Sequence, residues 1–127
     1  MKRIIYIVLS AVVLSLVPAT YACAQWKEQG KYREGLAVVL DANDKWGFID
    51  ETGKVVIPCQ WNKVSPFCEG LAWVKDANGK FGFIDKTGNV VIPCKWRLAN
   101  PFKNGKAWVM DTNGTSHFID HTGKIVE

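Results

Sequence analysis

The chain has 127 residues, of which 48% are hydrophobic, 22% charged and 12% aromatic, and its formal net charge at pH 7 is +4. This composition supports one compact folded domain and excludes a disordered chain. The length is short for a barrel or a doubly wound enzyme with a cofactor domain, and the small, scattered charge argues against nucleic-acid binding, which needs a clustered basic face.

The first segment has the layout of a secretory signal peptide. Met1–Arg3 is basic, Ile4–Val17 is uncharged and rich in Ile, Val and Leu, and small residues follow Pro18. This run is too short to span a membrane comfortably, because a spanning helix needs about 20 apolar residues. We therefore predict an N-terminal signal peptide helix over residues 1–24 and export of the rest of the chain to the periplasm or the extracellular space.

Two cleavage sites compete at the end of this segment. Ala22 and Ala24 satisfy the small-residue rule for cleavage after Ala24, and this cut leaves 14 of the 16 basic residues against 12 acidic ones. Cleavage before Cys23 would instead produce a lipid-bearing N-terminus and a membrane-anchored lipoprotein. We expect the soluble product, with lipidation at Cys23 as the alternative, and contact with a membrane only in the lipidated case.

Residues 25–127 repeat one pattern with a period of 35 residues. The same residue type recurs in each of three units at several positions, among them Trp26, Trp61 and Trp96; Gly35, Gly70 and Gly105; Phe48, Phe83 and Phe118; Ile49, Ile84 and Ile119; Asp50, Asp85 and Asp120; Gly53, Gly88 and Gly123. We predict three structural units over 25–59, 60–94 and 95–127. The third is two residues shorter, and its polar Ser116 and His117 predict a capping unit.

Each unit predicts a three-stranded antiparallel meander. In unit 2, Leu71–Lys75 and Phe81–Asp85 have strand composition and flank Asn78-Gly79, a pair typical of type I′ hairpin turns. A second turn with Gly88 in the left-handed conformation leads to a strand over Asn89–Ile92. We expect Pro93 to end that strand, because proline lacks the N–H that a sheet ladder requires.

The strand alternation predicts how the units pack. Phe81 and Phe83 lie on one face of the meander, and Gly82 and Ile84 on the other. One meander cannot bury its own apolar face, so neighbouring units must cover it. We expect Gly82 to let a large ring lie on the backbone, and Asp85 to accept hydrogen bonds from the turn amides that follow it.

The fold class is therefore all-β, with tandem meanders that form an open repeat array. A closed propeller typically needs about 4–8 blades of four strands, which three such units do not supply. An unpaired strand at the end of the array would offer an edge for another chain.

Two segments and their linker resemble the WG-repeat (KWG-type) family of bacterial proteins. The resemblance lies in residues 45–58 (KWGFIDETGKVVIP), in residues 80–93 (KFGFIDKTGNVVIP) and in the link at 66–74 (PFCEGLAWV). The Trp-Gly pair itself is present only as Trp46-Gly47; unit 2 has Phe81-Gly82 and unit 3 has Ser116-His117. The resemblance implies a non-catalytic β-repeat module. It is more informative about the fold than about the function.

Tryptophans are the candidate binding residues. Large, rigid aromatic surfaces stack on sugars or grip peptides. Most tryptophans here recur at a fixed position, which is typical of a core. Trp73 and Trp108 are the better candidates for a binding surface, since the equivalent position in unit 1 holds Val38.

Three cysteines remain after the predicted cleavage, and an oxidising compartment favours disulfides. Cys59, Cys68 and Cys94 are the candidates; a Cys59–Cys94 or a Cys59–Cys68 bridge is expected, and the odd count leaves one thiol over. We predict no metal and no cofactor, because no Cys-x-x-Cys, phosphate-binding or dinucleotide-binding motif occurs. His117 and His121 span a strand and a turn and need not converge.

Two functions follow as hypotheses. The first is an exported, non-catalytic binding module that contacts an envelope protein or glycan, with no nucleic-acid partner and no enzyme activity. The alternative is a structural unit that self-associates or stacks on other repeat proteins.

Overall fold

A computed structural model describes residues 26–126, and these form twelve β-strands and no helix. The strands are β1 Glu28–Gln29, β2 Leu36–Leu40, β3 Trp46–Asp50, β4 Val55–Trp61, β5 Lys63–Val64, β6 Ala72–Lys75, β7 Phe81–Ile84, β8 Val90–Trp96, β9 Leu98–Ala99, β10 Ala107–Met110, β11 Ser116–Ile119 and β12 Ile125–Val126. The expected signal peptide helix over residues 1–24 lies outside the described residues.

The strands form three four-stranded antiparallel sheets, which we call sheets 1, 2 and 3. Sheet 1 contains β1–β4, sheet 2 contains β5–β8 and sheet 3 contains β9–β12, each in chain order. The predicted all-β class is confirmed. The predicted three-stranded meander is wrong, because each sheet has four strands. The two residues of β1, β5 and β9 pair with the strand that follows and so add a fourth strand to each sheet.

The predicted end of the third strand at Pro93 is also wrong, because β8 continues through this proline to Trp96. Phe83 pairs with Ile92 while Phe81 pairs with Trp96, so β8 carries extra residues between the two pairs. Pro93 lies in this bulge, where a regular ladder hydrogen bond is not required. Sheet 1 repeats the arrangement, with Phe48 opposite Ile57.

The bulge explains the glycine of the Trp-Gly and Phe-Gly pairs. A Cβ atom on Gly82 would lie 2.5 Å from the Ile92 carbonyl oxygen and 2.8 Å from the Cys94 backbone nitrogen. Gly47 is crowded in the same way, with the Ile57 carbonyl oxygen 2.5 Å away. Glycine is required here because the bulged backbone approaches closely, and not because an aromatic ring lies on it, as we expected.

Two kinds of turn connect the strands. Consecutive positive φ angles, the signature of type I′, occur at the hairpins that precede β2, β6 and β10: Glu34-Gly35, Glu69-Gly70 and Asn104-Gly105. The type I′ turn expected at Asn78-Gly79 is wrong, since only Gly79 has a positive φ there. The Gly79 amide donates to the Asp76 carbonyl, as in a type I turn followed by a left-handed glycine.

The second predicted turn is confirmed. Gly88 has a φ of +93°. Asp85 accepts hydrogen bonds from the backbone amides of Thr87 (2.9 Å) and Asn89 (3.0 Å) and from the Thr87 hydroxyl (2.6 Å). The hydroxyl bond, followed by the amide bonds, holds the pKa of this carboxyl below its ordinary value. The Asp is therefore a turn-capping residue.

Neighbouring sheets pack face to face around aromatic pairs. Phe67, in the β5–β6 loop, meets Phe48 of sheet 1 edge to face at 4.7 Å between ring centroids, and Phe102, in the β9–β10 loop, meets Phe83 of sheet 2 at 4.9 Å. Phe83 belongs to the core between sheets 2 and 3, and Ile84 to the core between sheets 1 and 2. The predicted alternation of β7 is thus confirmed.

Candidate binding groove on the third sheet

An open groove of about 690 Å³ lies on the face of sheet 3 that is turned away from sheet 2. It is lined by Cys68, Asn100, Pro101, Phe102, Lys103, Asn104, Lys106, Trp108 and Phe118. Its volume falls in the range of small-molecule and peptide-anchor sites, about 300–1,000 Å³. The lining residues include three aromatic side chains, two lysines and two asparagines.

Among residues 26–126, no sheet covers the face of sheet 3 that carries Phe118. Phe48 and Phe83 occupy one repeat position and are both 0% exposed, since the next sheet covers each of them. Phe118 occupies the same position in unit 3 and is 40% exposed. An aromatic surface that is core at two junctions is therefore open to solvent at the third position.

Two positions on this face become polar in unit 3. Leu36 and Leu71 are buried, whereas the equivalent Lys106 is exposed. The Lys106 ammonium lies 4.8 Å from the centroid of the Phe118 ring, within the range of a cation–π contact. Ser116 is exposed where Phe81 is buried. Unit 3 thus has the partly polar outer face expected of a capping unit, but it keeps an aromatic centre.

A carboxylate joins each described unit to the next. Glu34 accepts hydrogen bonds from the backbone amides of Glu69 (2.8 Å) and Gly70 (2.9 Å) in unit 2. Glu69 in turn accepts from the Gly105 amide (3.0 Å) and lies 2.9 Å from Nε2 of His121 in unit 3. His121, then the amide bonds, holds the pKa of the Glu69 carboxyl below its ordinary value.

Unit 3 lacks this carboxylate, because Asn104 occupies the equivalent position. All three residues have left-handed backbone, with φ of +54° at Glu34, +55° at Glu69 and +56° at Asn104. Asparagine adopts this conformation more readily than most residues with a side chain. Glutamate therefore occupies this left-handed position in the two units in which its carboxylate binds the next unit. Asparagine, which adopts the left-handed conformation more readily, occupies it in unit 3.

The structure separates the two predicted binding tryptophans. Trp108 lines the groove. Trp73 is half-buried against the core between sheets 2 and 3, and its ring meets Phe81 edge to face at 5.0 Å between centroids. The two side chains therefore do not form one site.

The three described cysteines, Cys59, Cys68 and Cys94, are free thiols. Burial, followed by the charge of Asp41, raises the pKa of Cys59 to about 11, and burial also raises the pKa of Cys94. These two thiols are protonated at neutral pH, and thiols are poor nucleophiles in that form. Cys68 lines the groove. The disulfides remain a prediction for the oxidised protein, and the predicted lipidation site, Cys23, lies outside the described residues.

The two histidines have separate partners. His117 Nε2 lies 3.0 Å from the Asp111 carboxylate, and His121 meets Glu69 as described above. Within residues 26–126 no three His, Cys, Asp or Glu side chains are grouped so as to hold a metal ion. No helix in the described part of the chain has the length and apolar character needed to cross a membrane.

Sequence reasoning identified Trp108 but missed the other aromatic residues and the lysines of the groove: Phe102, Lys103, Lys106 and Phe118. A usable signal was present in the repeat alignment. Phe118 keeps the aromatic residue of its position, while Lys106 replaces a leucine beside it. When one unit keeps the aromatic residue of a core position but has a charged residue beside it, the aromatic face of that unit is expected to be exposed.

Three antiparallel sheets built from one 35-residue unit define an all-β tandem repeat protein. A family model described as the WG containing repeat matches residues 46–81 and 81–115, more than half of the chain. The chain therefore belongs to the WG-repeat family, and the resemblance seen in the sequence is confirmed.

Comparison with curated proteins gives no match. Among solved structures, the chain is similar to the WD40 beta propeller domain of Doa1, with a TM-score of 0.44 and 13% identity. The match covers 76% of this chain and 36% of that one, so the chain spans about a third of that protein's length.

Proposed function

We propose that this WG-repeat protein is an exported, non-catalytic binding module that holds a protein or glycan of the cell envelope in the groove of sheet 3. Export follows from the signal-peptide pattern of residues 1–24, with a soluble periplasmic or extracellular product and a Cys23-anchored lipoprotein as the alternative. Binding follows from the fold, since a repeat module supplies a rigid surface on which contact side chains are displayed.

One observation carries the binding role: Phe118 is 40% exposed at a position where the other two units bury phenylalanine completely. Apolar surface of this size is costly to leave in water, and exposed aromatic patches rimmed by polar groups mark interaction sites. Trp108 extends the same surface.

The test is affinity capture with crosslinking. The full chain is expressed with its own N-terminus, purified in the form that the cell exports, and incubated with envelope extract before mass spectrometry. We expect one discrete partner that is lost with Phe118→Ala or Trp108→Ala and kept with Leu98→Ala, which alters an exposed apolar residue outside the groove. A partner that survives both groove substitutions would refute the assignment of the site.

A second function, assembly with copies of itself or with other repeat proteins, is favoured by one observation. The face that carries the groove is equivalent to the faces that sheets 2 and 3 cover inside the chain. Sedimentation over a range of concentrations separates the two functions. A monomer supports the binding module, whereas concentration-dependent association that Phe118→Glu abolishes supports assembly.

A further inference from the structure

We propose that the ligand of the groove is an acidic polypeptide segment that carries an aromatic side chain. This inference rests on the binding function proposed above and narrows its partner to one chemistry. It draws on the two internal junctions of the chain, which show what this surface binds when a following unit is present.

The internal junctions indicate an aromatic anchor. At each of them one ring of the incoming unit packs edge to face on the phenylalanine of the receiving unit: Phe67 on Phe48, and Phe102 on Phe83. Phe118 is the receiving phenylalanine of unit 3, and its ring is open. An aromatic side chain of a ligand gains the same contact there, with most of its area removed from water.

The charge of the groove indicates acidic neighbours for that anchor. At the internal junctions the receiving unit presents a carboxylate, and the incoming unit supplies a lysine or histidine side chain as well as amides: the Lys86 ammonium lies 3.6 Å from Glu34, and Nε2 of His121 lies 2.9 Å from Glu69. In unit 3 the carboxylate is replaced by Asn104, and the described residues that line the groove include two lysines and no acid. The receiving face thus presents positive charge in place of a carboxylate, and it favours acidic groups on an incoming chain.

The lysines are placed to meet carboxylates beside the anchor. Lys106 lies over the Phe118 ring, 4.8 Å from its centroid, and Lys103 lies in the turn that borders the same ring system. Both side chains are exposed. Their flexible stems let the ammonium groups reach acidic side chains on either side of a bound aromatic residue.

The same substitutions make the face a poor partner for a fourth repeat or a second copy of the chain. Lys106 stands in place of a buried leucine, Ser116 in place of a buried phenylalanine, and Asn104 in place of the carboxylate that holds the next turn. A repeat unit docked there would lose the leucine and carboxylate contacts that both internal junctions make, and the buried phenylalanine of the second junction. A different polypeptide, with acids where a repeat unit has lysine or histidine, fits the substituted face better.

The experiment measures fluorescence anisotropy of three labelled pentapeptides with the purified full chain. The first has a central phenylalanine flanked by aspartate and glutamate; the second replaces the phenylalanine with alanine; the third replaces the acids with lysine. We expect the first to bind at least about tenfold more tightly than either of the others, because loss of an anchor or reversal of charge each costs a factor of this order. Added salt should weaken the first peptide, since exposed charges are screened.

Variants of the chain locate the binding site. Phe118→Ala should weaken the acidic peptide at least about tenfold, while Leu98→Ala should leave it unchanged. The double variant Lys103→Glu/Lys106→Glu should reverse the preference, so that the lysine peptide binds more tightly than the acidic one. Lys31→Glu/Lys63→Glu is the matched control, because it makes the same change of net charge at two exposed lysines outside the groove.

Three outcomes would overturn the inference. Equal binding of the acidic and lysine peptides removes the charge preference; if envelope capture still depends on Phe118, the binding function stands and only this inference fails. An association of two copies that excludes the acidic peptide assigns the groove to a second chain. Binding that Phe118→Ala and the double glutamate variant leave unchanged places the peptide site elsewhere.

Discussion

Substitution of Gly82 by alanine should destabilise the protein although it adds only one methyl group. Without a close neighbour, Gly→Ala in a strand stabilises by about 0.4–1 kcal/mol, because the unfolded chain loses freedom. Here the new Cβ would lie 2.5 Å from the Ile92 carbonyl oxygen, and ordinary contact begins near 3.4 Å, so the bulged backbone must retreat by about 1 Å. Overpacking of this kind costs about 1–3 kcal/mol. Subtracting the gain from this cost leaves an expected net loss of about 1 kcal/mol.

Thermal unfolding followed by circular dichroism checks this expectation. For a domain of this size, about 1 kcal/mol corresponds to a fall in Tm of roughly 4–8 °C. Gly47→Ala should behave alike, since the Ile57 carbonyl oxygen crowds it at the same distance. Gly114→Ala is the control: a Cβ there meets nothing within 4 Å, so only the cost of its left-handed backbone is measured. A rise in Tm for Gly82→Ala would refute the argument that the bulge requires glycine.

Three further predictions test the units, their junctions and the N-terminus. Phe83→Ala should cost about 3–5 kcal/mol in urea unfolding and Phe118→Ala less than about 1 kcal/mol, because only the first leaves a cavity in a core; equal losses would mean that Phe118 is also core. The lowered pKa of Glu69 implies stability that is present above the ordinary glutamate pKa and is lost as the pH falls through the lowered one. Glu69→Gln should therefore be less stable than the parent at pH 7, and the gap in urea titrations should close as the pH falls below the ordinary range of a glutamate; a constant gap would contradict the assignment. Intact-mass spectrometry of the exported protein should show a chain that lacks residues 1–24, and a lipid mass on Cys23 would replace this prediction with the lipoprotein alternative.

Local rules applied to the sequence predicted much of the repeat. The 35-residue spacing, the two faces of β7 and the capping role of Asp85 depend on alternation and turn chemistry, which act over a few residues. The end of the third strand could not be predicted in this way. The rule that proline ends a strand assumes a regular ladder, whereas Pro93 lies in a bulge that pairing with β7 creates. The crowding at Gly82 has the same origin, since it depends on a strand ten residues away.

The type of each turn depends on contacts with the next unit as well as on the residues of the turn itself. Asn78-Gly79 is the favoured type I′ pair, yet the type I′ turns in units 1 and 2 use Glu-Gly, which is less suited to two positive φ angles. The carboxylates of Glu34 and Glu69 bind backbone amides in the next unit, and this contact offsets the local strain. A rule that considers only the turn itself cannot include a benefit that arises 35 residues later.

The groove illustrates the same dependence on neighbours. Trp73 and Trp108 occupy one repeat position, as do Phe83 and Phe118, but the first member of each pair is packed by sheet 3 and the second lines an open surface. Repetition alone therefore predicts core for both members. The departures from repetition distinguish them, because Lys106 and Asn104 appear only in the unit that no described unit follows. In a repeat protein of this kind, a binding surface is therefore expected in a unit that keeps the core aromatic residue of the other units. In that unit, the residues that contact the following unit elsewhere are replaced.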